Sequence, residues 1–278
     1  GLYSSASPEV NGASALLKTI EDKGLTGAKI ALDMSGLSPP QYERLKTKLK
    51  EMDLIDGTNF LREIRLVKTE GEVERIKRAM AITEKSMEGA LEVARDEITE
   101  LDLAGMYGYS VSYNGGRVTQ NLIGFRDRSA YPNPLPTMYE AKKRDLVRLT
   151  LGCTWDHYHS NVSRTAVIGR PLAKVERRWE AIIAAQDAAL DEVKPGAKVS
   201  EIYAAAEKEL ANGEVTRKPS PMGHGLGIEC NEMPSISKTG EDELLEGMVV
   251  NVDIPVLELG WGGIQLEDTI LVTSDGFE

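Results

Sequence analysis

Three side chains in the C-terminal part of the chain are suited to acid–base chemistry or to ligand binding. His224 lies in the run GHGLG (residues 223–227), whose glycines allow the backbone or a ligand to approach closely. Asp253 and Glu267 each lie in an apolar segment that predicts a strand, where a buried carboxylate is costly unless it is paired, hydrogen-bonded or metal-bound. A histidine near two carboxylates can shuttle protons or bind a ligand, and the alternative is a hydrogen-bonded structural histidine. These residues are the first candidates for a functional site.

A second group of polar residues lies in the middle of the chain. Residues 150–165 (TLGCTWDHYHSNVSRT) predict a β-hairpin whose second arm places His157, His159 and Asn161 on one face, because strand side chains alternate. These side chains would line a polar pocket. The alternative is that they form the solvent-facing side of an edge strand.

The elements that must position these residues form a weak internal repeat. Residues 90–101 and 189–202 each predict the end of a long helix, a turn and a second helix that starts at a Thr or Ser cap. Strand patterns follow the two copies, at residues 146–151, 158–168, 248–257 and 263–272. Two such halves predict an α+β domain with pseudo-two-fold symmetry and a site between the halves, unless the similarity of the helices is accidental.

The N-terminal part of the chain has a different pattern. Residues 1–60 alternate helix and strand signals, with two helices and one strand predicted between residues 13 and 52. Thr69 and Glu72 have the spacing of a capping box, which predicts the start of a long helix. We therefore predict two domains, residues 1–60 and residues 61–278.

The composition limits the partners and the location. The chain has 33 Lys and Arg residues against 44 Asp and Glu residues, and the net charge of −11 opposes binding to nucleic acid or to an anionic membrane. The sequence has no apolar run of about 18 residues, the length of a membrane span. Two cysteines, Cys153 and Cys230, are too few for a disulfide framework, which favours a reducing compartment and hence the cytoplasm.

Five motifs occur in the order and spacing of one protein family: LREIRLVKTEGEVERIKRA, SRT at residues 163–165, GHGLG, EGMV at residues 246–249 and GGIQLEDTILVTSDGFE. With these motifs the chain resembles the creatinase, prolidase and methionine aminopeptidase family, peptidase family M24. The resemblance covers about residues 60–278 and implies the pita-bread fold for this domain. Residues 1–60 resemble the later part of a creatinase-type α/β N-terminal domain, so we expect the chain to lack the front half or more of that domain.

The resemblance also implies a two-metal site, which family peptidases build from two aspartates, one histidine and two glutamates. The corresponding positions here are Thr150, Asn161, His224, Asp253 and Glu267. Divalent ions prefer charged oxygen ligands, and a hydroxyl and an amide in place of two carboxylates remove two negative charges. We therefore predict no metal ligands and no cofactor, with one divalent metal ion such as Mn or Co as the alternative.

Creatinase is a family member that hydrolyses a C–N bond without a metal ion, and it provides the expected function. On this resemblance the chain would hydrolyse a small cationic amide or amidine, with His224 as general base and acid and Glu267 as the second catalytic residue. The expected substrate-binding residues are Asp253, Asn161, Thr150 and His159. We expect a homodimer, with a small molecule or a short peptide as substrate and neither nucleic acid nor a membrane as partner.

Two other functions fit the same residues. The chain could be a non-catalytic pseudopeptidase that binds a peptide or a protein partner, since a degenerate ligand set is typical of such proteins. It could also be an Xaa-Pro dipeptidase or aminopeptidase with an atypical single-metal site, in which case a chelator would inhibit it. The loss of both aspartates argues against a metal-hydroxide route, whereas the retained His224 and Glu267 favour catalysis.

Overall fold

A computed structural model describes residues 12–278, which fall into two compact units, one ending at Arg65 and the other beginning at Leu66. The division lies close to the expected boundary between residues 60 and 61. The assignment of the first unit to a creatinase-type N-terminal domain stays a prediction. Among residues 12–278, no helix is both long enough and apolar enough to cross a membrane.

The first unit contains two short parallel strands and three helices within its described residues. Its elements are α1 (Gly12–Asp22), β1 (Lys29–Leu32), α2 (Pro39–Lys48), β2 (Asp53–Asp56) and α3 (Thr58–Leu66). β1 and β2 pair along their whole lengths, and α2 supplies the crossover that a parallel pair requires. α2 begins after Ser38, because a proline fits the first helical position and the Gln41 side chain accepts the Ser38 backbone N–H at 2.8 Å.

Two helix pairs in residues 66–278 follow the predicted repeat. They are α4 (Glu70–Glu92) with α5 (Glu100–Tyr113), and α6 (Ala173–Asp191) with α7 (Val199–Asn212). The predicted capping box is confirmed at α4, where the Thr69 backbone N–H donates to Glu72 Oε2 at 2.8 Å. Thr99 and Asp102 form the equivalent box at α5. Each helix of the first pair therefore starts at a threonine that satisfies a backbone donor of the first turn.

The strands of residues 66–278 form one eight-stranded sheet. They are β3 (Arg117–Phe125), β4 (Leu146–Trp155), β5 (Tyr158–His159), β6 (Val162–Val167), β7 (Gly223–Gly225), β8 (Glu232–Ser235), β9 (Val249–Glu258) and β10 (Gly262–Leu271). The strand order is β3-β4-β6-β10-β9-β7-β8, and β5 pairs with β4. The central contact is antiparallel and joins β6, from the first copy of the repeat, to β10, from the second. Side chains from both halves are thus brought together, as the repeat predicts.

The hairpin expected in residues 150–165 is present, but the expected position of His157 is wrong. Asp156 and His157 form the turn between β4 and β5, with φ angles of 46° and 73°, and His157 is exposed. A two-residue turn between strands requires positive φ angles, and Asp and His tolerate them better than most residues. His157 therefore does not share a strand face with His159 and Asn161.

The two faces of the sheet differ in polarity. Leu149 and Leu151 of β4 join a buried apolar cluster with residues of α4 and α5. Val250 and Val252 of β9 join a second cluster with residues of α6 and α7. Thr150 lies between the two leucines and Asn251 between the two valines, and both point to the opposite face because strand side chains alternate. Helices cover one face of the sheet, and the candidate site residues lie on the other.

Candidate active site

Polar side chains occupy alternate positions on four neighbouring strands of the sheet. The pairs are Arg148 and Thr150 on β4, Asn161 and Ser163 at the start of β6, Gln265 and Glu267 on β10, and Asn251 and Asp253 on β9. A spacing of two residues puts both members of a pair on one face of the sheet. All of these side chains are buried except that of Asp253, which is half-buried. We refer to these eight residues as the polar cluster.

The strand register aligns the polar cluster across the sheet. Thr150 lies opposite Ser163, and Ser163 lies opposite Glu267. Glu267 in turn lies opposite Asp253. A row of four polar residues therefore crosses β4, β6, β10 and β9, so that the site positions inferred from the family resemblance come from both halves of the domain.

Glu267 is the centre of the polar cluster and is 1% exposed. Its Oε1 accepts hydrogen bonds from Asn161 Nδ2 at 2.6 Å and Asn251 Nδ2 at 2.8 Å. Its Oε2 accepts a hydrogen bond from Ser163 Oγ at 2.6 Å. Three neutral donors thus satisfy a carboxylate that burial would otherwise leave without partners.

His224 reaches the same carboxylate from β7. It lies opposite Asn251 of β9, and its Nε2 is 3.7 Å from Glu267 Oε1. Its Nδ1 is 3.0 Å from Gly225 O, and we assign the ring proton to Nδ1 because a carbonyl oxygen can only accept. The lone pair of the neutral ring is then on Nε2, beside Glu267, which is the form in which histidine binds metal ions.

The glycines beside His224 are required by backbone packing. A Cβ at Gly223 would lie 2.0 Å from Asn251 O, and one at Gly225 would lie 2.1 Å from Met233 O. Gly223 also has a φ of 147°, which side-chain-bearing residues rarely adopt. The close approach that the GHGLG run predicts is therefore made by the backbones of β8 and β9.

We expect Gly223→Ala to lower the free energy of unfolding by about 2 to 4 kcal/mol, since the added Cβ would force β7 away from β9. Urea denaturation followed by circular dichroism measures the change. Gly89→Ala in α4 is the matched control, because a Cβ there would have nothing within 4 Å. We expect that control to be neutral or slightly stabilising. Equal losses in both variants would contradict the packing argument.

Asp253 is hydrogen-bonded to a neighbouring amide. Gln265 Nε2 donates to both oxygens of its carboxyl group, at 2.9 and 3.0 Å. Burial and the nearby Glu267 carboxylate raise the pKa of Asp253 well above its ordinary value. Asp253 therefore belongs to the polar cluster through Gln265 and its register with Glu267.

Arg148 is the one positively charged member of the polar cluster, and it is 1% exposed. Its Nη1 donates to Gln265 Oε1 and, at 3.5 Å, to Thr150 Oγ1. Its Nε and Nη2 donate to three backbone carbonyls. These belong to Ser129, Tyr131 and Pro132. Burial lowers the pKa of the Arg148 guanidinium to about 10, against the opposite effect of the nearby carboxylates. The group stays positively charged at neutral pH.

The two remaining residues expected to bind substrate lie in different places. Thr150 is joined to the polar cluster by a 2.9 Å contact between its Oγ1 and Ser163 Oγ. His159 lies beside the loop that follows β7, where its backbone N–H donates to Gly227 O at 2.8 Å. Burial lowers the pKa of the His159 ring. A role of either residue in substrate binding stays a prediction.

The side chains present do not fit a site for two metal ions. Among residues 12–278, no three His, Cys, Asp or Glu side chains are arranged to hold a metal ion. Thr150 offers only a hydroxyl, and both Asp253 oxygens accept from Gln265. The same end of the polar cluster also contains the Arg148 guanidinium, which opposes a second cation.

The other end of the polar cluster offers three candidate donors for a single ion, one of which, Glu267 Oε1, already accepts hydrogen bonds from Asn161 and Asn251. Asn161 Oδ1 is buried and has no hydrogen-bond partner within the described part of the chain, although its Nδ2 donates to Glu267. His224 Nε2 and Glu267 Oε1 are 3.7 Å apart, less than twice the usual metal–ligand distance of about 2.1 Å. An amide oxygen, an imidazole nitrogen and a carboxylate form a mixed donor set suited to Mn, Co or Zn.

The sequence profile of metallopeptidase family M24 matches residues 74–274. The chain belongs to this family. The Xaa-Pro dipeptidase of Pyrococcus furiosus is 31% identical over 268 residues, which are 94% of this chain and 74% of the relative. The Xaa-Pro dipeptidase of Pyrococcus horikoshii is 31% identical over 283 residues, which are 99% of this chain and 80% of the relative.

Solved structures of M24 peptidases share the fold. The X-Pro aminopeptidase from Thermotoga maritima matches with a TM-score of 0.87 and 25% identity, over 98% of this chain and 78% of that chain. The prolidase from Pyrococcus furiosus matches with a TM-score of 0.86 and 26% identity, over 97% and 79% of the two chains. The expected α+β pita-bread fold and the expectation of a hydrolase are therefore confirmed.

Membership of the M24 family corrects two expectations. The absence of a cofactor is wrong, because the chain belongs to a metallopeptidase family with Xaa-Pro dipeptidases among its relatives. The same relatives favour the Xaa-Pro peptidase alternative over metal-independent hydrolysis of a cationic amide. The physical reason lies in Asn161, because exchange of a carboxylate for an amide removes a charge but leaves an oxygen that can bind an ion.

Arg148, Ser163, Asn251 and Gln265 belong to the polar cluster but were not picked out from the sequence. The signal that could have found them is their spacing. Each lies two residues from a residue that was picked out, within a predicted strand, and therefore shares its face of the sheet.

Proposed function

We propose that this M24 peptidase hydrolyses short peptides at an Xaa-Pro bond and uses one divalent metal ion held by Asn161, His224 and Glu267. The observation that carries the proposal is Asn161 Oδ1, a buried acceptor without a hydrogen-bond partner among the described residues. Such an acceptor is costly to bury, and a bound cation would satisfy it. The Xaa-Pro dipeptidases among its relatives support the choice of bond.

A cavity near the Arg148 end of the polar cluster favours an anionic group over a cationic one, and Pro132 in its lining accepts from Arg148; none of its lining residues is a proposed ion ligand. It has a volume of about 640 Å³, and its lining includes Pro132 and Pro255. Arg217 and Lys218 bring two positive charges to the lining, against the one carboxylate of Glu258. Positive charge favours the C-terminal carboxylate of a short peptide and opposes a cationic substrate.

The surrounding residues hold the proposed ligands in place before substrate arrives. The Gly225 carbonyl accepts the Nδ1–H of His224 and so fixes the orientation of the ring. The Asn251 amide and the Ser163 hydroxyl donate to opposite oxygens of Glu267 and fix its carboxylate. When bound, the ion supplies Lewis-acid polarisation of the scissile carbonyl. The side chains thus provide a preorganised site of the kind that positions a peptide bond for attack.

The test is hydrolysis of Gly-Pro, with Gly-Ala as control, after chelator treatment and after reloading with Mn²⁺ or Co²⁺. We expect the chelator to abolish Gly-Pro cleavage, the ion to restore it, and Gly-Ala to be cleaved at least about 10-fold more slowly. Unchanged cleavage in the presence of chelator would contradict the one-ion site. Binding of Gly-Pro without cleavage would favour a non-catalytic peptide-binding protein.

A cytoplasmic location and a homodimer are further parts of the proposal. Cys153 and Cys230 are both free thiols, in keeping with a reducing compartment. The homodimer follows from the family resemblance. Sedimentation equilibrium of the purified chain tests it, with twice the chain mass as the expected result and a single chain mass as the contradicting one.

A further inference from the structure

Arg148 is a buried cation that no step of the proposed reaction uses. Its five N–H groups have five acceptors, all of them neutral: three backbone carbonyls, the Gln265 amide oxygen and the Thr150 hydroxyl. A buried guanidinium is stable when its donors are satisfied and its charge is balanced nearby. The direct contacts of Arg148 meet the first requirement. The negative charge that balances the guanidinium must therefore lie on residues that contact the hydrogen-bond partners of Arg148.

The groups that can balance this charge are the two carboxyl groups of the polar cluster, above all that of Glu267, because burial raises the pKa of Asp253. Gln265 accepts from Arg148 through its oxygen and donates to Asp253 through its nitrogen, so one amide separates the two charges. On the other side, Thr150 contacts Ser163, which donates to Glu267. The guanidinium is therefore linked to both carboxylates and balances negative charge that a second metal ion would otherwise balance.

The segment before β4 is built to hold the guanidinium. It presents the carbonyls of residues 129, 131 and 132 to one side chain. The segment is anchored by the fully buried Glu100, which accepts from Arg128 Nε and from Thr137 N, each at 2.9 Å. An anchored segment that directs three carbonyls at one guanidinium forms a specific site for a positive charge.

We propose that Arg148 takes the electrostatic place of a second metal ion and thereby limits the site to one ion. This inference rests on the proposed one-ion function and deepens it. A guanidinium keeps its charge, has no lone pair for a metal ion, and repels a cation placed among its neighbours. Arg148 is therefore a positioning residue that holds Asp253 through Gln265 and leaves the remaining donors to the single ion.

Restoring the family carboxylates tests this role. In Thr150→Asp/Asn161→Asp, two carboxylates return while Arg148 is kept. We expect about one Mn²⁺ per chain in equilibrium dialysis, because Arg148 neutralises the carboxylate added two residues away. Adding Arg148→Met is expected to raise the count to about two and to give the exchange-coupled EPR spectrum of a Mn²⁺ pair.

Two control variants separate the charge of Arg148 from its packing. In the Thr150→Asp/Asn161→Asp background, Arg148→Lys keeps the charge and is expected to leave the count at about one. Arg178→Met removes an arginine of α6 that pairs with Glu258 at the end of β9, and it is expected to leave the count unchanged as well. Two ions with Arg148 present, or one ion after Arg148→Met, would overturn the inference. If Arg148→Met does not fold, Arg148→Gln in the same background removes the charge and keeps a polar side chain, and it is expected to give the same count of about two.

The wild-type count separates this inference from the proposed function. About one Mn²⁺ per chain supports the one-ion site, and no bound ion would overturn that site. If the wild type binds no ion, a higher ion count in Thr150→Asp/Asn161→Asp/Arg148→Met than in Thr150→Asp/Asn161→Asp would still support the role of Arg148. The wild-type count therefore tests the one-ion site, and the comparison of the variants tests the role of Arg148 separately.

Discussion

Replacement of His224 with alanine is expected to lower kcat/KM for Gly-Pro by at least about 100-fold. His224 Nε2 lies 3.7 Å from Glu267 Oε1 and is the nitrogen of the proposed ligand set. Without it, an amide oxygen and a carboxylate remain, too few ligands to retain an ion tightly. The measurement is activity over a series of Mn²⁺ concentrations, together with bound Mn²⁺ per chain.

His157→Ala is the matched control for this substitution. His157 is exposed in the turn between β4 and β5, outside the polar cluster. We expect it to keep the bound ion and to change activity by less than about 2-fold. Thermal denaturation in chelator separates folding from chemistry, because His224→Ala should then melt close to the wild type. Full activity of His224→Ala at saturating Mn²⁺ would show that His224 is not a ligand.

The second large effect is expected from Glu100, which is fully buried at the start of α5. It accepts hydrogen bonds from Phe125 N and Thr137 N, both at 2.9 Å, and pairs with Arg128. Glu100→Ala should lower the free energy of unfolding by about 3 kcal/mol, because these donors lose a buried charged partner. Urea denaturation gives the value. Turnover should fall as well, since the segment that presents three carbonyls to Arg148 loses its anchor.

Glu140→Ala is the control for Glu100, because Glu140 is exposed close to the same segment. We expect its effect to stay within about 0.5 kcal/mol. A similar small change in both variants would show that Glu100 does not anchor the segment, and the account of how Arg148 is held would then fail.

The frame of the site could be predicted from the sequence because it depends on neighbouring residues. The capping box at Thr69 and the alternation in β9 and β10 are local patterns, and the alternation is enough to place Asp253 and Glu267 in buried strands. The repeat predicts the two helix pairs. The position of His157 could not be predicted, because the place of a turn within a hairpin depends on φ angles that two or three residues set together.

The charge balance of the site could not be predicted in the same way. Arg148 stands in the run LVRLTL, where an arginine ordinarily indicates an exposed position. Its burial depends on carbonyls that lie 16 to 19 positions earlier and on Gln265, which lies 117 positions later. The sequence indicates that a carboxylate ligand is lost at Asn161. That the Asn161 Oδ1 is left without a hydrogen-bond partner among residues 12–278 is seen only in the folded chain. Contacts at long range therefore decide how many ions the site accepts.

The most direct test of the one-ion peptidase is a titration of the metal-free chain with Mn²⁺ while Gly-Pro hydrolysis is followed. The chain concentration must exceed the dissociation constant of the ion, so that added Mn²⁺ is bound almost completely. We expect activity to rise linearly and to reach its plateau at about one ion per chain. A plateau at two ions, or full activity before any ion is added, would contradict the site formed by Asn161, His224 and Glu267.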